Sequence, residues 1–386
     1  MRLPNSQAYF LLFLSVLFAF VIFTRFHQFP DFSDFNVYYT AGQKALNHHT
    51  VYDVPHALKF KYAPITALAF GFLASPFAFE KVTWVFYALN LMGWLALVIL
   101  FSGSFAGAPS ELSKKSRLER TSLVLAYFLF FFSVALRDEL KLGQINIVPI
   151  ALLYFFLKSW EQDRPFYQGT LFSLACQFKL YCLIALPLLI IHRRFKILFI
   201  ALGVYGVLNL GVFAVWNGWA LALSETHDWL STLATSTVDI LTSRYSVSIL
   251  STFLKLTHLS WLAHGIWVSC GAIFLLLQWR LRNLPGLHQW AFLLLSILLL
   301  SPVSWPCWMI FSFPALFYVF SEPQKSHGSV WLKGALTAFI FVNTNNLNSG
   351  ITYRGLPCLM GLIILGLFLK LYLPAHKKLD LPCQLL

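Results

Sequence analysis

Two aspartates three residues apart, Asp31 and Asp34, follow the first apolar stretch of this chain, and a polar and aromatic run carries on from them to Pro64: DFSDFNVYYTAGQKALNHHTVYDVPHALKFKYAP. It is the longest polar interval in a strongly apolar sequence. A carboxylate at a membrane boundary is partly desolvated, which raises its proton affinity and suits it to take a proton from a hydroxyl. Asp34 is the first candidate for such a general base, with a helix N-cap as its competing role. Asp31 is the second. Two carboxylates without further acids nearby are too few donors for a metal, so no metal site is expected. The cysteines at 176, 182, 270, 307, 358 and 383 are scattered without the spacing of a zinc site and read as small apolar residues.

A second set of groups is cationic. Lys179 interrupts the apolar run LACQFKLYCLIALP, and an ionisable group inside such a run marks a site by default, with snorkelling to the surface as the competing reading. Lys59, Lys61, Arg137, Lys141, Arg244 and Arg354 fall in the same class of polar intervals. A lipid phosphate or diphosphate is the anion that such cations would satisfy. Clustered amides come third: Gln144 and Asn146 in LGQIN, then Asn343, Asn345, Asn346 and Asn348. Amides suit sugar hydroxyls and loop turns equally well. SPVSWPCW (301–308), which contains Trp305, is a proline-broken junction, and irregular backbone at membrane depth must be buried or line a cavity.

The elements that must position these groups are helices in a bilayer. Apolar residues make up 58% of the chain and charged residues 11%, against about 25% charged in a soluble domain, so the chain reads as an all-α polytopic membrane protein. The apolar runs at 8–26, 82–102, 121–136, 145–160, 166–178, 180–192, 195–216, 260–280, 287–303, 306–322, 330–345 and 355–373 predict about twelve spans, several of them short. The run 63–79, interrupted by Pro76, either spans or is re-entrant. With the N-terminus cytoplasmic and 63–79 not crossing, nearly every Lys/Arg cluster falls on one side, as the positive-inside rule requires. The net charge of +13 then reflects topology, and no nucleic-acid partner is expected. The first outer loop is 27–62 and the second 217–259. The first apolar run lacks a small-residue cleavage site and reads as a retained helix. With no repeat or soluble domain in view, residues 1–386 read as a single membrane domain with both termini cytoplasmic.

Four short motifs in order then carry a resemblance. DFSDFNVYYTAGQKAL with VYDV and FKYAP, LGQINIVPIALL (142–153), FKLYCLIALPLLIIHRR (178–194) and LLSPVSWPCW (299–308) resemble the polyprenol-phosphate-sugar-dependent GT-C glycosyltransferases, and most closely glycosyltransferase family 87, which includes phosphatidylinositol-mannoside mannosyltransferases. The resemblance runs over most of residues 1–322. It departs where the family commonly places a histidine after Ser-Trp, since Pro306, Cys307 and Trp308 stand here, and at 243–246 (SRYS), where the family tends to show Asn-Gln-Ser.

The resemblance implies a GT-C-type fold and a hexosyltransferase of the mannosyltransferase kind. It would move a sugar, by the family's habit mannose, from a polyprenyl-phosphate donor to a glycolipid or glycan acceptor with inversion and no cofactor. It assigns Asp34 as the base, Lys179 and Arg354 to the donor phosphate, and Asp31, Tyr38, Tyr39, Gln144, Asn146 and Trp305 to the sugar and acceptor pocket. It also implies a bacterial inner (cell) membrane, a periplasmic active site and membrane lipids as surroundings. Two other classes share the broken helices and membrane-depth charges. A lipid or sugar transporter would place them near the midplane between related halves, which are not seen. A catalytically inactive GT-C-like scaffold would explain the missing histidine.

Overall fold

The computed structural model describes residues 5–24, 32–52, 59–74, 76–105, 114–236, 240–241, 243, 246–321 and 356–372. Every regular element among them is helical. In chain order these are α1 (Asn5–Thr24), α2 (Ser33–Leu46), α3 (Pro64–Ala74), α4 (Phe79–Phe105), α5 (Lys114–Leu142), α6 (Ile147–Lys158) and α7 (Pro165–Phe178). A 3₁₀ turn (Leu180–Ala185) leads to α8 (Leu186–Ile191). Then come α9 (Phe195–Gly206), a π-helical turn (Val207–Val212), α10 (Phe213–Asn217) and α11 (Trp219–Thr235). The last group is α12 (Ile249–Thr257), α13 (Ser260–Arg280), α14 (Gly286–Leu300), a 3₁₀ segment (Pro306–Ser312), α15 (Phe313–Ser321) and α16 (Leu356–Tyr372).

The chain divides into two compact units, 1–183 with 195–240 and 184–194 with 241–386. In the first, α1 packs on α5, α4 on α5 and α6, α6 on α7, and α7 on α9. The π-helical turn joins α9 and α10 into one continuous helix, Phe195–Asn217. In the second unit α12 packs on α13, and α14 is buried on nearly all sides. The 3₁₀ segment, α15 and α16 pack together and against α14.

Three described helices are long and apolar enough to cross a membrane, Phe79–Ser104, Phe195–Asn217 and Ser260–Arg280. Leu118–Leu142 and Ile147–Lys158, bent by 119° at their break, make a fourth if counted as one span. The other apolar helices are shorter, and the expected span at 330–345 lies outside the described residues. Large apolar side chains point outward along these elements: Phe13 is 64% exposed, Phe199 70%, Val215 88% and Trp261 73%. Contiguous apolar exposure on this scale is rare on a water-soluble surface and is what lipid-facing helices present.

The 63–79 run resolves into α3, whose 11 residues measure only about 16 Å, half of a ~30 Å hydrocarbon core. It pairs with α2, which is amphipathic and also too short to cross. The two helices approach closely at Gly42 and Gly71. A Cβ on Gly42 would sit 2.5 Å from the backbone nitrogen of Gly71, so only glycine fits that crossing.

Candidate functional site

Helix α2 starts against the end of α5. Phe32, in the left-handed region at φ 44°, donates its backbone N–H to the carbonyl of Lys141 at 3.0 Å. This stitch sets Asp34, in the first turn of the helix, beside the loop that joins α5 to α6. That loop reverses the chain at Gly143, whose φ of +69° favours glycine and whose missing Cβ leaves room for Phe35. The next residue, Gln144, donates its side-chain Nε2 to Oδ2 of Asp34. From α4, Asn90 donates to the backbone carbonyl of Gln144 and holds the loop from the other side.

Gln144 is the hub of the cluster. Its Oε1 accepts from Nζ of Lys179 at 3.4 Å and from Nδ2 of Asn146 at 3.4 Å. Lys179 follows α7 directly and lies over the ring of Tyr62, with Nζ 4.7 Å from the centroid, a cation–π contact. The Tyr62 hydroxyl meets that of Tyr38 at 2.6 Å. Asp34 and Tyr38 are four residues apart and so share one face of α2. The cluster therefore contains a carboxylate, an amide, an ammonium and two phenols, within a chain that carries few polar groups.

Both tyrosines lie outside the membrane-crossing helices. Burial pushes the Tyr38 hydroxyl well above the usual phenol range, and the neighbouring Tyr62 and Asp34 add to it. Burial also raises Tyr62, against the opposing pull of the Lys179 ammonium. Both phenols are therefore neutral hydrogen-bonding groups at ordinary pH.

Four residues that carry this geometry were not singled out in the sequence. Glu139, fully buried in the last turn of α5, accepts from Asn146 with both oxygens, from the backbone N at 3.2 Å and from Nδ2 at 2.9 Å. Glu225, also fully buried, accepts the Val51 backbone N–H at 3.1 and 3.0 Å and ties α11 to the polar loop. Asn209, in the π-helical turn, accepts from the Ile65 backbone at 3.2 Å and donates to Oε1 of Gln177 at 3.0 Å. Gln177 in turn accepts the Ala63 backbone N–H on its carbonyl at 3.1 Å. Asn209 and Gln177 thereby hold the start of α3 against the end of α7, which keeps Tyr62 next to Lys179. The available signal was a lone amide inside an apolar span, as π-turns often mark functional positions. Glu139 and Glu225 gave none beyond being acids in polar stretches.

The remaining candidates divide clearly. Asn146 belongs to the cluster, and its Oδ1 accepts from the Tyr181 hydroxyl at 3.2 Å. Tyr39 does not share the face of Asp34: five residues on, it donates its hydroxyl to the Phe77 carbonyl at 3.0 Å and packs edge-on against Phe79. Trp305 is in the second unit, capping the 3₁₀ segment. There the Val247 N–H to Ser304 carbonyl bond, at 2.7 Å, and the Ser248 hydroxyl on Pro302 join SRYSVS to SPVSW. Lys59 and Lys61 are half-buried, Lys61 reaching the Ser236 carbonyl at 3.5 Å. Asp31, Arg244, Arg354 and the asparagines of 343–348 lie outside the described residues. Among the described residues no three His, Cys, Asp or Glu side chains converge as metal ligands.

No curated protein and no solved structure matches this chain. The model of glycosyltransferase family 87 matches residues 60–304, a stretch that holds Tyr62, Glu139, Gln144, Asn146, Lys179 and Ser304 and begins after Asp34. With that match covering most of an apolar, all-helical chain, the protein belongs to glycosyltransferase family 87 and is a membrane glycosyltransferase.

Proposed function

We propose that the Asp34 cluster is the catalytic site and that it transfers a hexose, by family habit mannose, from a polyprenyl-phosphate donor to a hydroxyl of a glycolipid or glycan acceptor. The observation that supports this most is a carboxylate and an ammonium bound to opposite ends of one amide, Gln144 Nε2 to Asp34 and Lys179 to Gln144 Oε1. A base and a cation held one side chain apart are what an inverting transfer between a phosphate leaving group and an alcohol needs.

In this reading the acceptor hydroxyl oxygen attacks the anomeric carbon from the face opposite the lipid phosphate. The carbon–oxygen bond to phosphate breaks, its electron pair leaves on the phosphate oxygen, and the hydroxyl proton passes to Asp34. The hydrogen bond from Gln144 fixes the direction of the carboxylate. Lys179 leaves Gln144 and Tyr62 to meet the phosphate, stabilising the charge that grows as the bond breaks. Tyr38 and Tyr62 offer neutral hydroxyls to the sugar, and Asn146 a further polar contact. Asp31 keeps the pocket role that the resemblance implies, with the site on the periplasmic face of a bacterial inner membrane.

The test is purified protein in nanodiscs given radiolabelled polyprenyl-phosphate mannose and a membrane-lipid extract, beside Asp34→Asn. Loss of transfer by about 10²- to 10⁴-fold in the variant is expected for a lost general base. Equal transfer by both proteins would move the base elsewhere. No transfer by the wild type, while binding the donor, would favour the inactive scaffold to which Pro306, Cys307 and Trp308 point.

A further inference from the structure

We infer that Glu139 is a positioning residue for the transfer reaction, acting on Asp34 through Asn146 and Gln144. The inference rests on the catalytic reading of Asp34.

A fully buried carboxylate is costly and persists only where its oxygens are satisfied. Glu139 satisfies them on the loop it is about to enter. Its backbone carbonyl accepts from Gln144 N at 3.0 Å, and both side-chain oxygens accept from Asn146, the residue just before α6. The negative charge also sits at the N-terminal end of α6, where the helix dipole favours it. That accounts for a stable bend between α5 and α6.

The bend alone does not account for the direction of the side-chain bonds. Nδ2 of Asn146 faces Glu139 Oε2, while Oδ1 takes the Tyr181 hydroxyl, so the Asn146 amide has one orientation. Its Nδ2 also donates to Gln144 Oε1, which Lys179 approaches as well. With two donors at Oε1, the Gln144 amide has one orientation too, and Nε2 must face Asp34. Asn146 therefore donates both ways, to the Glu139 carboxylate and to Gln144 Oε1, and Gln144 in turn donates to Asp34, so the order of donors and acceptors between the two carboxylates is fixed. Glu139→Gln breaks this order at its origin. One of its two oxygens becomes an NH₂ that faces an Asn146 donor, so the Asn146 amide must flip or move, and Gln144 can then present its oxygen to Asp34.

The experiment measures kcat and donor KM for labelled sugar transfer in wild type, Glu139→Gln, Glu139→Asp and Gln144→Leu, and in each Glu139 variant combined with Gln144→Leu, with Asp34→Asn as reference. Glu139→Gln is expected to lower kcat by about 10- to 100-fold with donor KM little changed, as a misaimed group does. In the Gln144→Leu background the same change is expected to cost less than about 2-fold, because its path to Asp34 is already cut. Additive losses, or full kcat in Glu139→Gln, would overturn the inference and leave the Asp34 reading standing. If Glu139→Gln does not fold, Glu139→Asp, which keeps the carboxylate but draws it back from Asn146, decides on the same grounds: a kcat loss that vanishes in Gln144→Leu supports the inference, and an additive or absent loss overturns it. Retention of transfer by Asp34→Asn would fail the underlying reading, and the inference with it.

Discussion

Gly143→Ala tests whether the loop geometry sets catalysis. Gly143 has φ +69°, and putting an L residue there costs about 1–2 kcal/mol. The new methyl would lie 2.6 Å from Cβ of Phe35 and 3.3 Å from its backbone nitrogen. Because the obstacle is Cβ and backbone, no rotamer of Phe35 relieves it. Helix α2 must withdraw from the loop by about 0.8 Å to bring 2.6 Å to the 3.4 Å of ordinary contact. Asp34 is the residue before Phe35 and moves with it, away from Gln144. A displacement of this order at a reacting group costs about 100-fold in rate. The assay is labelled sugar transfer at saturating donor, with gel filtration and thermal unfolding in detergent alongside. The expected outcome is a folded protein with a lowered melting temperature and kcat down by roughly two orders of magnitude. Gly203→Ala, which meets nothing within 4 Å, serves as control and should leave both unchanged. Wild-type kcat in Gly143→Ala would refute the claim that this turn aims the site.

Other expectations follow from the same geometry. Lys179→Met should raise donor KM and lower kcat together, while Lys179→Arg should recover only part of the loss, because the longer fork cannot keep both the Gln144 bond and the place over Tyr62; steady-state kinetics against donor concentration checks this. Glu225→Ala strands the Val51 N–H in a buried position and should destabilise by about 1–3 kcal/mol, read by thermal unfolding. Asn209→Leu removes the tie between α3 and Gln177, separates Tyr62 from Lys179 and should lower activity more than melting temperature, read by transfer rate beside thermal unfolding. Tyr38 and Tyr62 have folded pKa values above the unfolded phenol value near 10, so their contribution is full below that pH and is lost as pH rises beyond it; melting temperature should fall above pH 10, less steeply in a Tyr38→Phe, Tyr62→Phe variant.

Much of the candidate cluster was legible because polar groups are scarce in this chain and each one stands out. Asp34, Gln144, Asn146 and Lys179 were named from residue type and boundary position alone, and the folded chain brings all four together. Tyr38 was legible and Tyr39 was not separable from it, because choosing between them needs the helical phase of α2, set by the stitch from Phe32 to Lys141. Glu139 was read only as part of the polar string RDELKLGQIN, since burial of one acid out of two adjacent ones depends on where α5 ends. Asn209 and Glu225 act across 144 and 174 residues of sequence, a separation no local pattern encodes. The number of spans was the least legible feature. Hydropathy gives apolar runs, whereas a helix that breaks at Gly143 or pairs at Gly42 and Gly71 is decided by backbone contacts.

The positions of these groups share a physical reason. In a bilayer, backbone donors and acceptors are satisfied inside a helix, so any polar work must be done where helices end or loosen. Asp34 is in the first turn of α2, Gln144 and Asn146 fill the break between α5 and α6, Lys179 closes α7, Tyr62 precedes α3, and Asn209 occupies the π-helical turn. Each break releases backbone groups that need partners, and the side chains supplied there serve both purposes. Phe32 bonds to Lys141, Asn90 to Gln144, and Asn209 and Gln177 to the start of α3. The same bonds that make the breaks tolerable hold a carboxylate, an amide and an ammonium in one row. Substitutions at the bond-making positions should therefore affect catalysis and stability together. Asp34→Asn, which keeps an oxygen for the Gln144 donor, should cost activity far more than stability.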